Sequence, residues 1–182
     1  MTKWASHFYE IPEALEENEA VRERSLGLIE SEPIHANAVE GGDRRSIFRD
    51  ILRDFFMGDI GIEDARIRIS SELPTRQSPY SRDTSNTFNR QWEDRLVRSE
   101  GSRFYNHAVL LTLNERGDEA CFVPESPHQD PGKKCTQLLA GREASVEEML
   151  SGLERAFRNE EWGVFPRIPF RPNCTHTITP VE

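Results

Sequence analysis

The sequence predicts an α+β fold, helix-rich in its N-terminal half, with an antiparallel β-hairpin (about 103–113 and 119–124) central to its C-terminal half. Three observations carry this. Ile47, Phe48, Ile51, Leu52, Phe55 and Phe56 recur at helical spacing. Ser145 and Glu148 form a capping box ahead of a second helical stripe, Met149, Leu150, Leu153, Ala156 and Phe157. Ser102–Pro124 is the most apolar continuous piece, with a polar turn near Arg116-Gly117.

The elements follow in order. Pro12 to about Ser31 reads as a helix, with Pro12 in the first turn and Glu13, Glu16 and Glu17 at the positive end of the dipole. Residues 1–32 hold three basic and eight acidic residues and are expected as an acidic helical arm, with 43–182 as a single α+β domain. Pro33–Gly42 links the two. Asp43 caps a helix over 44–57, and Gly58 is its stop signal. The acids Glu63 and Asp64, with Ile62, Ala65, Ile69 and Leu73 on one face, predict a helix over 62–72; alternation along 65–69 keeps a strand as the alternative. Prolines at 74 and 79 predict a loop. A helix from Ser85 to about Ser99, capped by Thr84 or Ser85 and closed by Gly101, follows, with Phe88, Trp92 and Leu96 inward.

In the hairpin, strand alternation puts Arg103, Tyr105 and His107 on one face. Both faces are apolar near the turn, as in a strand buried on both sides. A long loop, 125–144, the capped helix and an extended proline-rich tail complete the chain, with Ile178 in a last strand.

The chain has 182 residues, 36% hydrophobic and 30% charged, with net charge −9. That length supports a core without staples. The acidic balance argues against broad binding to nucleic acid or an anionic membrane. Three cysteines make no disulfide framework. No apolar run reaches membrane-spanning length and no signal peptide opens the chain, so a cytoplasmic protein without membrane partners is expected.

No motif names a chemistry or a family. Arg103, Tyr105 and His107 are the candidate catalytic row, able to bind an anion beside a general acid or base. The candidate metal ligands are Cys121, His128, Asp130, Cys135, Cys174 and His176. His128, Asp130 and His176 have the donor types of a non-haem iron face. The cysteines with His128 and His176 suit zinc, although their spacing matches no ribbon or finger. Residues 66–103 hold eight arginines against five acids, with Tyr80, Phe88 and Trp92 interleaved, a pattern able to grip phosphate and stack bases. Prolines at 166, 169 and 172 repeat at the polyproline-II period.

The leading expectation is a binding, adaptor or regulatory protein working through a protein partner. It draws on the acidic arm, the arginine belt and the proline-period tail. The alternatives are a metal-dependent enzyme with a His/Asp/Cys site in the 121–176 region, holding zinc or iron, and a nucleic-acid-associated subunit using residues 66–103.

Overall fold

Two layers of helix sandwich one long central helix, and a small sheet closes the C-terminal end. The computed structural model describes residues 2–82 and 87–182. Among them are seven α-helices and a three-stranded antiparallel sheet, so the α+β class holds.

The first expected helix is two, α1 (Ile11–Glu17) and α2 (Glu19–Ser31). Asn18 breaks it: its backbone leaves the helical region and its side chain accepts from Val21 N–H at 3.3 Å. A short polar side chain competes with the helix and then caps the next one. The acidic segment expected as an arm is packed into the body. Ala5, Phe8, Ile11, Ala14, Leu15, Val21 and Ile29 all enter the common core.

α3 (Arg44–Met57) and α4 (Ile62–Glu72) form as their apolar stripes dictate. Gly58 ends α3 in the left-handed region at φ 82°, where its N–H returns to Asp54 and Phe55 carbonyls. The strand alternative at 65–69 is not adopted. Thr84 and Ser85, the expected cap of the following helix, lie outside the described residues. That helix, α5, begins at Trp92.

The hairpin needs correction. Residues 103–113 are not a strand: α5 runs Trp92–Arg116, through Gly101 and through the whole apolar segment. Gly117, read as the turn of a hairpin, is the left-handed C-cap of this helix at φ 79°. A run apolar on both sides fits a central strand or a helix buried all round, and periodicity alone does not separate them. α5 is the buried helix, covered by α2, α4 and α7. Asn106 is bonded at both ends, its Nδ2 donating to Ser102 Oγ at 3.0 Å and its Oδ1 accepting from Ile178 N–H at 2.9 Å, whereas Arg103 Nε and Nη2 and His107 Nδ1 are buried without a hydrogen-bond partner.

Only the second half of the expected hairpin is strand, β1 (Ala120–Val123). It is central in the order β2-β1-β3, with β2 (Arg142–Ser145) and β3 (Thr179–Pro180) antiparallel on either side. The loop between β1 and β2 carries a five-residue helix, α6 (Lys134–Leu138). Ser145 then caps α7 (Val146–Asn159), accepting from Glu148 N–H at 3.2 Å as the capping box requires. The tail bends over α7 instead of running as a polyproline-II helix, with Arg167 and Ile168 buried. No helix is long and apolar enough to cross a membrane among the described residues.

Candidate metal centre

The tail supplies most of the centre. Cys174 to Ile178 is buried without a break. Thr175 anchors it twice: its carbonyl accepts from Phe8 N–H at 2.8 Å, and its N–H donates to Gln129 Oε1 at 2.8 Å. Thr177 Oγ1 donates to Ala5 O at 2.6 Å. The Ser126 and Thr175 hydroxyls meet at 2.7 Å, tying the loop after β1 to the same segment.

With the tail fixed, Cys174 and His176 face one side together, their Sγ and Nδ1 3.7 Å apart. Cys135 meets them from α6, on the buried side of a helix whose Lys134, Gln137 and Leu138 are exposed. The Cys174 thiol donates to Cys135 Sγ at 3.9 Å. The donor atoms of Cys135, Cys174 and His176 all lie within 4.8 Å of one another, and all three residues are fully buried.

The electrostatics are those of two sulfurs sharing one proton. The hydrogen bond from Cys174 holds the Cys135 thiol well below its ordinary value, with His176 adding to the effect against burial. The Cys174 thiol is pushed up, first by that same bond and then by burial. The His176 Nε2 atom is buried with no hydrogen-bond partner.

The other expected ligands do not join. Cys121 sits in β1, donates weakly to Ala144 O at 3.5 Å, and is pushed up to about 11 by burial. His128 is exposed, edge-on to Tyr9 at 4.8 Å and to His7 at 5.1 Å between ring centroids. Asp130 accepts from Gly132 N–H at 2.8 Å in a turn. The His128–Asp130–His176 iron face is therefore not assembled, because its first two members lie on the outer surface of the loop.

The Arg103–Tyr105–His107 row is also broken up. On a helix, positions 103 and 107 share a face and 105 points elsewhere. Tyr105 accepts Ala5 N–H at 2.8 Å deep in the core. Arg103 donates to Pro33 O at 2.7 Å and to Glu100 at 3.0 Å, while His107 pairs with Glu154 at 3.1 Å. Arg158 of α7 closes the junction on Glu32 at 2.5 Å and Glu154 at 3.2 Å. Sequence reasoning missed Glu32, Glu100, Glu154 and Arg158. Glu154–Arg158 was visible as an i,i+4 pair on the helix expected after Ser145, whereas Glu100–Arg103 was visible as an i,i+3 pair only on a helical reading of 100–107.

This junction has a pH signature. Burial holds the His107 imidazole below its ordinary 6.5, against the bond to Glu154. The unfolded chain then takes the proton more readily than the folded one, so stability falls as pH drops below 6.5. Burial pushes the Glu32 carboxyl up, but the bonds from Arg158 outweigh it and hold the group below its ordinary 4.5. Its contribution is therefore lost in a lower and separate window. His107→Gln should flatten the fall of the thermal midpoint between about pH 7 and pH 5. Parallel profiles for the two proteins would contradict this role.

Four of the eight belt arginines are paired with acids within the chain, Arg103 with Glu100 among them. Arg66 pairs with Glu63, Arg68 with Glu72 and Asp54, and Arg98 with Asp94. Trp92 is buried with Phe88 edge-on at 4.9 Å. A cleft of about 600 Å³ beside α5 and α7 is walled by Phe157, Trp162, Pro169 and Phe170. No protein-family model, curated protein or solved structure matches the chain.

Proposed function

We propose that this chain is a metal-binding protein, with Cys135, Cys174 and His176 holding one zinc ion that fastens the tail to α6. One observation carries the reading. Tetrahedral zinc with Zn–S near 2.3 Å and Zn–N near 2.05 Å requires about 3.8 Å between sulfurs and about 3.6 Å between sulfur and nitrogen. The corresponding separations in the protein are 3.9 Å and 3.7 Å. Two of the three donor–donor separations are thus already close to their tetrahedral values, and the third lies within 4.8 Å.

Charge favours the same conclusion. Two thiolates neutralise a divalent cation, which avoids leaving a net charge in a buried site. The sulfur-rich donor set selects zinc over the oxygen-loving metals. Among the described residues no carboxylate belongs to the group. The three side chains leave a coordination position for a non-protein donor. A fastening role is favoured because residues 135 and 174 are 39 positions apart and the tail between α7 and β3 has little regular structure.

The protein-contact reading is less well supported. Its acidic segment is packed in the core, half of its belt arginines are paired with acids, and its proline tail is folded onto α7.

Elemental analysis of protein purified without chelator tests the proposal. About one zinc per chain is expected, lost in Cys135→Ser and in His176→Gln. Cobalt in place of zinc should give thiolate-to-metal absorption in the near ultraviolet. Trace metal only, together with no such band, would overturn it.

A further inference from the structure

We infer that Cys135 and Cys174 are a thiol–disulfide pair, and that closing their bond releases the metal; the release rests on the zinc reading above, whereas the disulfide does not.

The two sulfurs are already in contact at 3.9 Å. A disulfide needs about 2.05 Å, so each sulfur has to move by about 1 Å. The pairing is also selective. The third thiol, Cys121, is turned into the sheet towards Ala144 O and belongs to no cluster. The pair lies close to the surface along the chain: residues 131–134 and 171–173, next to the two cysteines in sequence, are exposed. α6 has only five residues, too few to be stable by itself, so a small oxidant needs only a local opening to reach the sulfurs.

Peroxide is the oxidant class that fits so narrow an approach. One thiolate sulfur attacks a peroxide oxygen, the O–O bond breaks, hydroxide leaves and a sulfenic acid forms. The second thiolate attacks that sulfur, the S–O bond breaks, a second hydroxide leaves and the S–S bond forms. Two electrons pass from the two sulfurs to one peroxide. Zinc keeps its charge throughout and departs as the divalent ion, since two of its three protein donors have gone. A dithiol reductant reverses the step, taking up the disulfide's oxidation and restoring both thiols.

The test uses the full chain, zinc-loaded and zinc-stripped, treated with hydrogen peroxide and then denatured in N-ethylmaleimide. Intact mass should show three adducts before oxidation and one after it, with the remaining adduct on Cys121 and a cross-linked peptide joining Cys135 to Cys174. In the loaded protein, a chromogenic chelator should register one zinc released per disulfide, and dithiothreitol followed by zinc should restore the starting state. Cys121→Ser should oxidise as the parent does; Cys135→Ser should form no bond within the chain. Three adducts after oxidation, a bond involving Cys121, or sulfinic acid in place of the bond would overturn the disulfide. A disulfide formed in protein that never binds zinc would overturn the metal reading and leave the pair standing. Zinc bound and unmoved while the bond forms would overturn the release.

Discussion

Cys174→Ser should lower the thermal midpoint by roughly 10 °C and make the protein indifferent to chelators. A ligand that binds only the folded state stabilises it by about 4 kcal/mol at a thousand times its dissociation constant. For a domain of this size, 1 kcal/mol moves the midpoint by about 2–4 °C. The loss comes from the fold's geometry. Cys174 and His176 lie on the tail that crosses Ala5, Phe8 and Asn106, so loss of the proposed ion would loosen contacts to two separate segments, the N-terminal stretch and α5. The check is a double comparison by scanning calorimetry. The parent with chelator should match the variant without it, and the variant should not shift further when chelator is added. A parent midpoint unmoved by chelator, in protein shown to contain zinc, would remove the fastening role.

Gly152→Ala should destabilise the protein by about 3 kcal/mol or more, in the range of severe overpacking. The usual expectation has the opposite sign, since alanine in place of a helical glycine stabilises by about 1 kcal/mol. Here α7 lies directly against the tail. A Cβ on Gly152 would stand 2.1 Å from the Pro166 carbonyl oxygen and 3.2 Å from its carbon. Both are backbone atoms, so no side-chain rotation relieves the overlap. The tail must lift from α7 at the point where Arg167 donates to the Trp162, Val164 and Pro169 carbonyls. Gly27, in α2, is the matched control: nothing lies within 4 Å of its missing Cβ. In urea titrations of both variants, Gly27→Ala should therefore stabilise slightly where Gly152→Ala destabilises. A Gly152→Ala protein as stable as the parent would show that the tail does not press on α7 in solution. Because the same tail carries two of the proposed donors, this variant should also bind zinc more weakly.

Much of the fold was legible where one residue and its near neighbours decide the outcome. α3 announced itself by a stripe that returns every three or four residues and stops at Gly58. α7 did so by the Ser145–Glu148 box. α4 could be chosen over a strand because the acids of its first turn agree with its apolar face. The same local logic failed at α5. Phe104, Ala108, Val109 and Leu110 lie among Ser102, Arg103, Asn106 and His107 that are also buried, so no wet face marks the helical period. Gly117 could not arbitrate, because a left-handed glycine ends a helix as well as it turns a hairpin.

The candidate site was legible as an inventory of residues and not as a set. All three donors stood among the expected ligands, beside Cys121, His128 and Asp130, which have the same chemistry. Only the tertiary structure separates them. Cys135 depends on the inward side of a five-residue helix, and Cys174 with His176 depends on anchors as distant as Ala5 and Asn106. Spacing and residue type alone specify the amphipathic helices, their caps and the supply of sulfur and imidazole in the C-terminal half. The packing of the tail decided which sulfurs meet and which stay apart. It also turned Arg103 and His107 from a catalytic row into core ion partners, since contacts between residues far apart in sequence leave no local trace.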